Sequence, residues 1–392
     1  MAPPTKTLLF DSDQQMSYAQ ILPSQEVLAR MEVAILNFLK MLTAPTPAVS
    51  DLAVISRTSK NTRFRNGFLS EVSSIFLSHS FCTKSLSRVR DAQSFVRVWK
   101  VIELCYQIIS KDKRVTQREL FYKLLCDSPD YFSSQSQVNR SIQDVVALLR
   151  CTRQSLGIIA SSRGTVVGRL LIKGQNHDDV DCSQLGPTGH PITGDLHLLE
   201  NLMFQSDARY IIIVEKDAIF QRLAEDRIFD QIPCIMITAK GYPDVATRFL
   251  LHRLSKIFPD LPILALVDWW KLKASSYVLM NPAGLAILYT YKFGSISMGL
   301  EAYRYACNVK WLGLRCKDLQ LLPPDSMIMM KPRDLQIAKS LMLSNTLPES
   351  YAEELRFMVE CGLRAEIEAL YFHGYGFLTT YIVRKIVQGD HI

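Results

Sequence analysis

The chain has 392 residues, 48% hydrophobic and 21% charged, a globular composition long enough for two or three domains with cores of their own. Its 45 Lys and Arg against 38 Asp and Glu leave a net charge of +7, which permits a polyanionic partner without requiring one. Nine scattered cysteines without a C-x-x-C pair argue against a zinc site or a disulfide framework, and neither a signal peptide nor an apolar run of about 20 residues is present, so a soluble intracellular protein is expected.

Residues 1–93 read as a weakly organised helical or extended region, with helical periodicity over "EVLARMEVAILNFLKML" and a Ser/Thr/Pro-rich break after it. From Ser94 the pattern sharpens, as Val98, Val101, Ile102, Cys105 and Ile108 recur at helical spacing. A basic turn, "SKDKR", leads to Thr116-x-x-Glu119, a capping box that announces a second helix over "VTQRELFYKLL". A third helix is predicted from Ser136 through "VNRSIQDVVALLRC". Then "LGIIA" and "TVVGRLLI" read as strands of a hairpin turning at "SSRG". Three helices followed by a hairpin is the order of a winged helix, a DNA-docking module, which is placed at 94–172.

Residues 173–204 read as a Gly/Pro/Asp-rich connector. His177, Asp178, Asp179 and Asp181 are taken as a solvated acidic loop, since nothing fixes their geometry for a metal. Beyond it "RYIIIV", "IPCIMIT" and "LPILALV" are continuous apolar strands separated by helical stretches, the pattern of a parallel sheet covered on both faces. The fold class expected is therefore α/β, α+β overall: a winged helix followed by a mainly parallel sheet over 205–392. Ligands of such sheets bind at the carboxyl ends of strands, where Glu215 and Asp268 stand.

In the second helix Leu120, Phe121, Leu124 and Leu125 form the inward stripe. Arg118 and Tyr122, four residues apart, share the opposite face. A phenol, with an ordinary pKa near 10, needs a neighbouring cation or base to act as a nucleophile, and a guanidinium one turn away also suits a phosphate. A surface tyrosine lying along an arginine is the plainer reading of that pair alone. Glu215 and Asp268 likewise offer hard oxygen ligands for Mg²⁺, or simply follow strands to cap helices.

"RELFY", "IIIVEKDAIFQRL", "GYPDVATR", "NPAGLAI" and the closing "GLRAEIEAL" resemble, in order, the family of the A subunit of type IIB topoisomerase (topoisomerase VI) and the meiotic double-strand-break proteins of the Spo-eleven type, in particular a plant-type second paralogue. The resemblance covers about Ser94 to the carboxyl end. It implies a CAP-like winged helix whose Tyr122 attacks the DNA backbone, with Arg118 opening the motif, and a Toprim domain whose Glu215 and Asp268 bind Mg²⁺. It further implies a nuclear protein acting on double-stranded DNA, with the tyrosine of one protomer working with the metal of another. The expected protein partners are a B-like subunit and a paralogous A-type subunit. The chain has no P-loop, so an ATP-driven partner would be separate.

One departure stands out. The family pattern Val-Asp-x-[Asp or Asn]-Pro-x-Gly is interrupted here as "VDWWKLKASSYVLMNPAGL", so Asp268 and the third ligand position, Asn281, are separated by an insertion over 270–280. Loop closure of that length costs little, so the sheet is expected to form around a surface loop; magnesium geometry is less forgiving, and weakened binding is expected. DNA contacts are expected from Lys111, Lys113, Arg114, Arg140 and Arg163, on the basic turn, third helix and wing. Two alternatives stay open: a non-catalytic DNA-binding subunit, and a Toprim nuclease that uses water.

Overall fold

A computed structural model of the chain describes residues 19–43, 51–55, 62–64, 75–77, 81–86, 88–174, 179–268, 283–293, 296–330, 332–342 and 349–392. The chain divides into two units. The first takes in residues 1–63, 75–161 and 296–303, the second 64–74, 162–295 and 304–392. No described helix is long and apolar enough to cross a membrane.

The first unit is built on four helices: α1 (Ser24–Leu42), α2 (Val89–Ser110), α3 (Gln117–Asp127) and α4 (Gln135–Leu149). Val27, Met31 and Ala34 of α1 enter the same apolar cluster as Phe95, Val98 and Ile102 of α2 and Val138, Ile142, Val145 and Leu149 of α4. The helical periodicity read over "EVLARMEVAILNFLKML" is α1, and its single stripe at i, i+4 and i+7 suffices to dock it. Leu120 and Leu124 anchor α3 in that cluster. An 11-residue helix is marginal alone, so burial of these two leucines, roughly 1.5–3 kcal/mol each, and the cap hold it in place. The capping box forms as expected: Glu119 N donates to Thr116 Oγ1 at 3.2 Å and Thr116 N donates to Glu119 Oε2 at 2.6 Å.

The hairpin read across "SSRG" does not form. Strand β1 (Asp51–Ile55) pairs antiparallel with β2 (Phe81–Ser85), while β3 (Val115–Thr116) pairs parallel with β4 (Ile158–Ile159). The next strand, β5 (Thr165–Gly168), instead joins the sheet of the second unit. The reason lies in its side chains. All four residues of β5 are buried, and a strand apolar on both faces requires a sheet position with cover on both sides, which a two-stranded wing does not provide. The parallel β3–β4 pair is continued by Val115 N donating to Gly157 O at 3.0 Å.

Residues 296–303 return to the first unit through a buried ion pair. The Glu301 carboxylate, with no exposed surface, accepts from Arg153 N and Arg153 Nε at 2.9 Å each and from Gln143 Nε2 at 3.3 Å. Removing the acid of such a pair takes from the buried guanidinium the carboxylate it faces. Glu301→Ala is therefore expected to lower the unfolding free energy by about 3–5 kcal/mol, read by urea denaturation; a loss below about 1 kcal/mol would show that water reaches Arg153.

In the second unit β6 (His190–Pro191), β7 (Tyr210–Val214), β8 (Cys234–Thr238), β9 (Ile263–Leu266) and β10 (Val309–Trp311) join β5 in a six-stranded sheet of order β6-β5-β8-β7-β9-β10. Strands β8, β7, β9 and β10 run parallel, and β5 and β6 form an antiparallel margin. The expected parallel sheet of continuous apolar runs is present; Ile211 to Val214 and Cys234 to Ile237 are essentially inaccessible to solvent. Helix α5 (Asp217–Glu225) follows β7 and α6 (Val245–Ile257) follows β8. Within the stretch read as a connector, Met203–Gln205 and Val180–Asp181 both pair antiparallel with Leu171–Lys173. Asp181 accepts from the Ser183 backbone and hydroxyl, closing its own turn; His177 and Asp178 lie outside the described residues.

Candidate active site: an exposed tyrosine and a carboxylate cluster

Tyr122, on α3, is half exposed although its neighbours Leu120 and Leu124 are buried. Helical geometry puts the residue four positions earlier beside it, and Arg118 Nη2 donates to the phenol oxygen at 3.4 Å, its guanidinium carbon 5.8 Å from the ring centroid. The phenol thus presents its oxygen to solvent with a permanent cation next to it. In the same unit, Lys111, Lys113 and Arg114 are exposed on the turn between α2 and α3, and Arg140 is exposed on α4. Arg163 is not on a wing. It belongs to the second unit, where its backbone N donates to Asp244 Oδ2 at 3.2 Å and its guanidinium to Tyr242 O at 3.3 Å.

In the second unit, two strands that are neighbours in space but about fifty residues apart in sequence bring the predicted acids together. Strands β7 and β9 are hydrogen-bonded in register, Val214 opposite Leu266. Glu215 therefore leaves one strand end beside Asp268 leaving the other, and Asp268 N donates to Glu215 Oε2 at 3.2 Å. Both are buried. The strand order changes direction here, β8 lying on one side of β7 and β9 on the other, which is where open α/β sheets bind ligands.

Two further carboxylates complete the group, from residues to which the sequence alone assigns no role. One carboxylate oxygen each from Asp268, Glu366 and Glu368 lie within 4.8 Å of one another. The short 3₁₀ helix Ile367–His373 is tied in by Ile367 N donating to Asp268 Oδ1 at 3.0 Å. Glu366 and Glu368 are two residues apart in "RAEIEAL", and nothing in that spacing points to Asp268 about a hundred positions away. Burial pushes the Asp268 carboxyl up, opposed by the Lys216 ammonium and the Ile367 amide. Clustered hard oxygen donors in a protected strand-end site fit a divalent cation.

The glycine of "NPAGL" has a local reason. Helix α7 (Ala283–Phe293) starts against the end of β9, and a Cβ on Gly284 would stand 2.4 Å from the Asp268 carbonyl oxygen. Only glycine permits that approach. Asn281 and the insertion over 270–280 lie outside the described residues.

A family model for the Toprim domain of Spo11 and of the topoisomerase 6 A subunit matches residues 210–386, and one described as "Type IIB DNA topoisomerase" matches residues 93–158. The chain is 62% identical over 386 residues to meiotic recombination protein SPO11-2 of Arabidopsis thaliana, covering 98% of each. It is 34% identical over 344 residues to the A subunit of DNA topoisomerase 6 of the same plant, covering 86% of this chain and 75% of that one. Over 384 residues it is 31% identical to human meiotic recombination protein SPO11, covering 95% and 90%.

Proposed function

The chain belongs to the family of Spo11 and the topoisomerase 6 A subunit, and from that premise we propose that it cuts duplex DNA by transesterification to start meiotic recombination in the nucleus. The oxygen of Tyr122 attacks a backbone phosphorus in line. A tyrosine–phosphorus bond forms, the bond to the 3′ oxygen breaks, and the phenol proton passes to solvent as the 3′ oxygen takes one up. The protein remains on the 5′ phosphate. The observation that carries this reading is Tyr122 exposed on a capped helix with the Arg118 guanidinium on its oxygen.

Arg118 lies against the phenol oxygen and would neutralise charge on the phosphate under attack. In the second unit Glu215 and Asp268 would hold the metal, which we take to be Mg²⁺ as the family resemblance implies. Bound there, the ion would offset charge developing on the phosphate oxygens. The Asp268 amide orients Glu215 and the Ile367 amide orients Asp268, so the two carboxylates are fixed before any ion arrives. The Tyr122 of one chain would cut one strand; a paralogous A-type subunit would cut the other, and a B-like subunit would bring the two together.

The assay is cleavage of linear duplex by the assembled complex. The expected product has 5′ ends blocked by protein until proteolysis. Free 5′ phosphates would indicate a nuclease using water, and bound but uncut DNA a non-catalytic subunit. Binding itself is expected to be electrostatic and indifferent to sequence, because the basic side chains near α3 suit phosphates rather than base edges. Replacing Lys111, Lys113, Arg114 and Arg140 together with alanine should reduce the slope of log affinity against log salt by about 3–4. An unchanged slope would put the docking surface elsewhere.

A further inference from the structure

Lys216, between Glu215 and α5, makes the cluster more than a set of metal ligands. Its Nζ lies 2.9 Å from Asp268 Oδ2 and 3.2 Å from Glu366 Oε2, and it also donates to Glu368. These are the three carboxylates whose oxygens converge. A lysine with four methylenes ordinarily carries its charge out to water, yet this side chain is only 13% exposed. Burial works against its charge, but Asp268 and Glu368 outweigh it and hold the ammonium protonated well above the ordinary lysine range.

We propose that Lys216 is the built-in cation of this cluster: it takes up Glu366 and Glu368, positions Asp268, and restricts the site to a single divalent ion on Glu215 and Asp268. Formal charge bears on the count. Among the described groups, Glu215, Asp268, Glu366 and Glu368 together carry four negative charges, and the ammonium leaves three. One divalent ion then leaves one negative charge, whereas a second would turn the site positive around the buried Glu215 and Asp268, an arrangement that desolvation penalises. Without the lysine, two divalent ions would neutralise the four carboxylates in full. Sites with two ions place them roughly 3.5–4 Å apart, and the ammonium stands where the second would have to sit. Lys216 is thus a positioning residue that acts through the carboxylates.

This inference rests on the metal-binding reading of the strand ends and not on the role of Tyr122. The test counts Mn²⁺ bound by the full-length chain, from the electron paramagnetic resonance of the free ion across a titration. Wild type and Lys216→Arg are expected to bind one ion per chain and Lys216→Met two. A count of one in Lys216→Met, at whatever affinity, overturns the proposal and leaves the metal site standing, as does a count of two in wild type or in Lys216→Arg. A wild-type chain that binds no Mn²⁺ overturns both. If Lys216→Met does not melt cooperatively, Lys216→Gln, which keeps hydrogen-bond donors without the charge, is held to the same count of two.

Discussion

Tyr122→Phe is expected to abolish covalent cleavage while leaving the protein folded and bound to DNA. The change deletes one oxygen and keeps the ring. That ring is half exposed, and its hydroxyl has a long 3.4 Å contact to Arg118, so stability should move by no more than about 0.5 kcal/mol, the range for surface substitutions. Chemistry has no such margin, because the deleted oxygen is the attacking atom itself. Loss of a nucleophile costs on the order of 10⁴- to 10⁶-fold in rate, which for a slow DNA-cutting reaction means no detectable product. Melting temperature, duplex affinity and yield of protein-linked ends in the assembled complex separate the three quantities. Linked ends at the wild-type level from the variant would remove Tyr122 from the mechanism.

The second large effect is expected from Asp268→Asn. This side chain is buried, accepts from the Ile367 amide and lies against the Lys216 ammonium. Alanine would leave that amide without its acceptor and take one of three carboxylates from that lysine, mixing a stability loss with a loss of metal. Asparagine keeps an oxygen for Ile367 and removes only the negative charge. A neutral amide is a poor substitute for a carboxylate toward a hard divalent ion, so metal affinity should fall by more than the roughly 10- to 100-fold that loss of an outer partner costs. Divalent-dependent cleavage should fall with it, and raising the metal concentration should restore part of it. Unchanged cleavage at low metal would show that Asp268 does not bind the ion.

Much of this arrangement is legible locally. Thr116-x-x-Glu119 encodes the start of α3 because both halves of the capping box act within one turn, and Arg118 and Tyr122 meet because helix geometry brings i and i+4 together. The runs ending at Val214 and Val267 are long enough and apolar enough to announce buried strands, and hence the two acids at their ends. What is not legible depends on partners distant in sequence. Nothing near Thr165 says that it pairs with Thr238 rather than folding back on Ile159. Glu301 finds Arg153 across 148 positions, and Lys216 finds Glu366 and Glu368 across about 150. Glu366 and Glu368 look like ordinary surface acids until the 3₁₀ helix that carries them is docked on Asp268. Period and capping report on a helix or strand alone; the tertiary pairings that assemble the carboxylate cluster have no such local signature.

The most direct test of the central claim is the identity of the residue joined to DNA. The assembled complex is allowed to cleave, the covalent product is digested with nuclease and trypsin, and the adduct is sequenced by mass spectrometry. The expected adduct is the peptide Glu119–Lys123, ELFYK, released by cleavage after Arg118 and Lys123, with a 5′-linked nucleotide on Tyr122. An adduct on any other residue, or cleavage that leaves only free 5′ phosphates, would contradict the account.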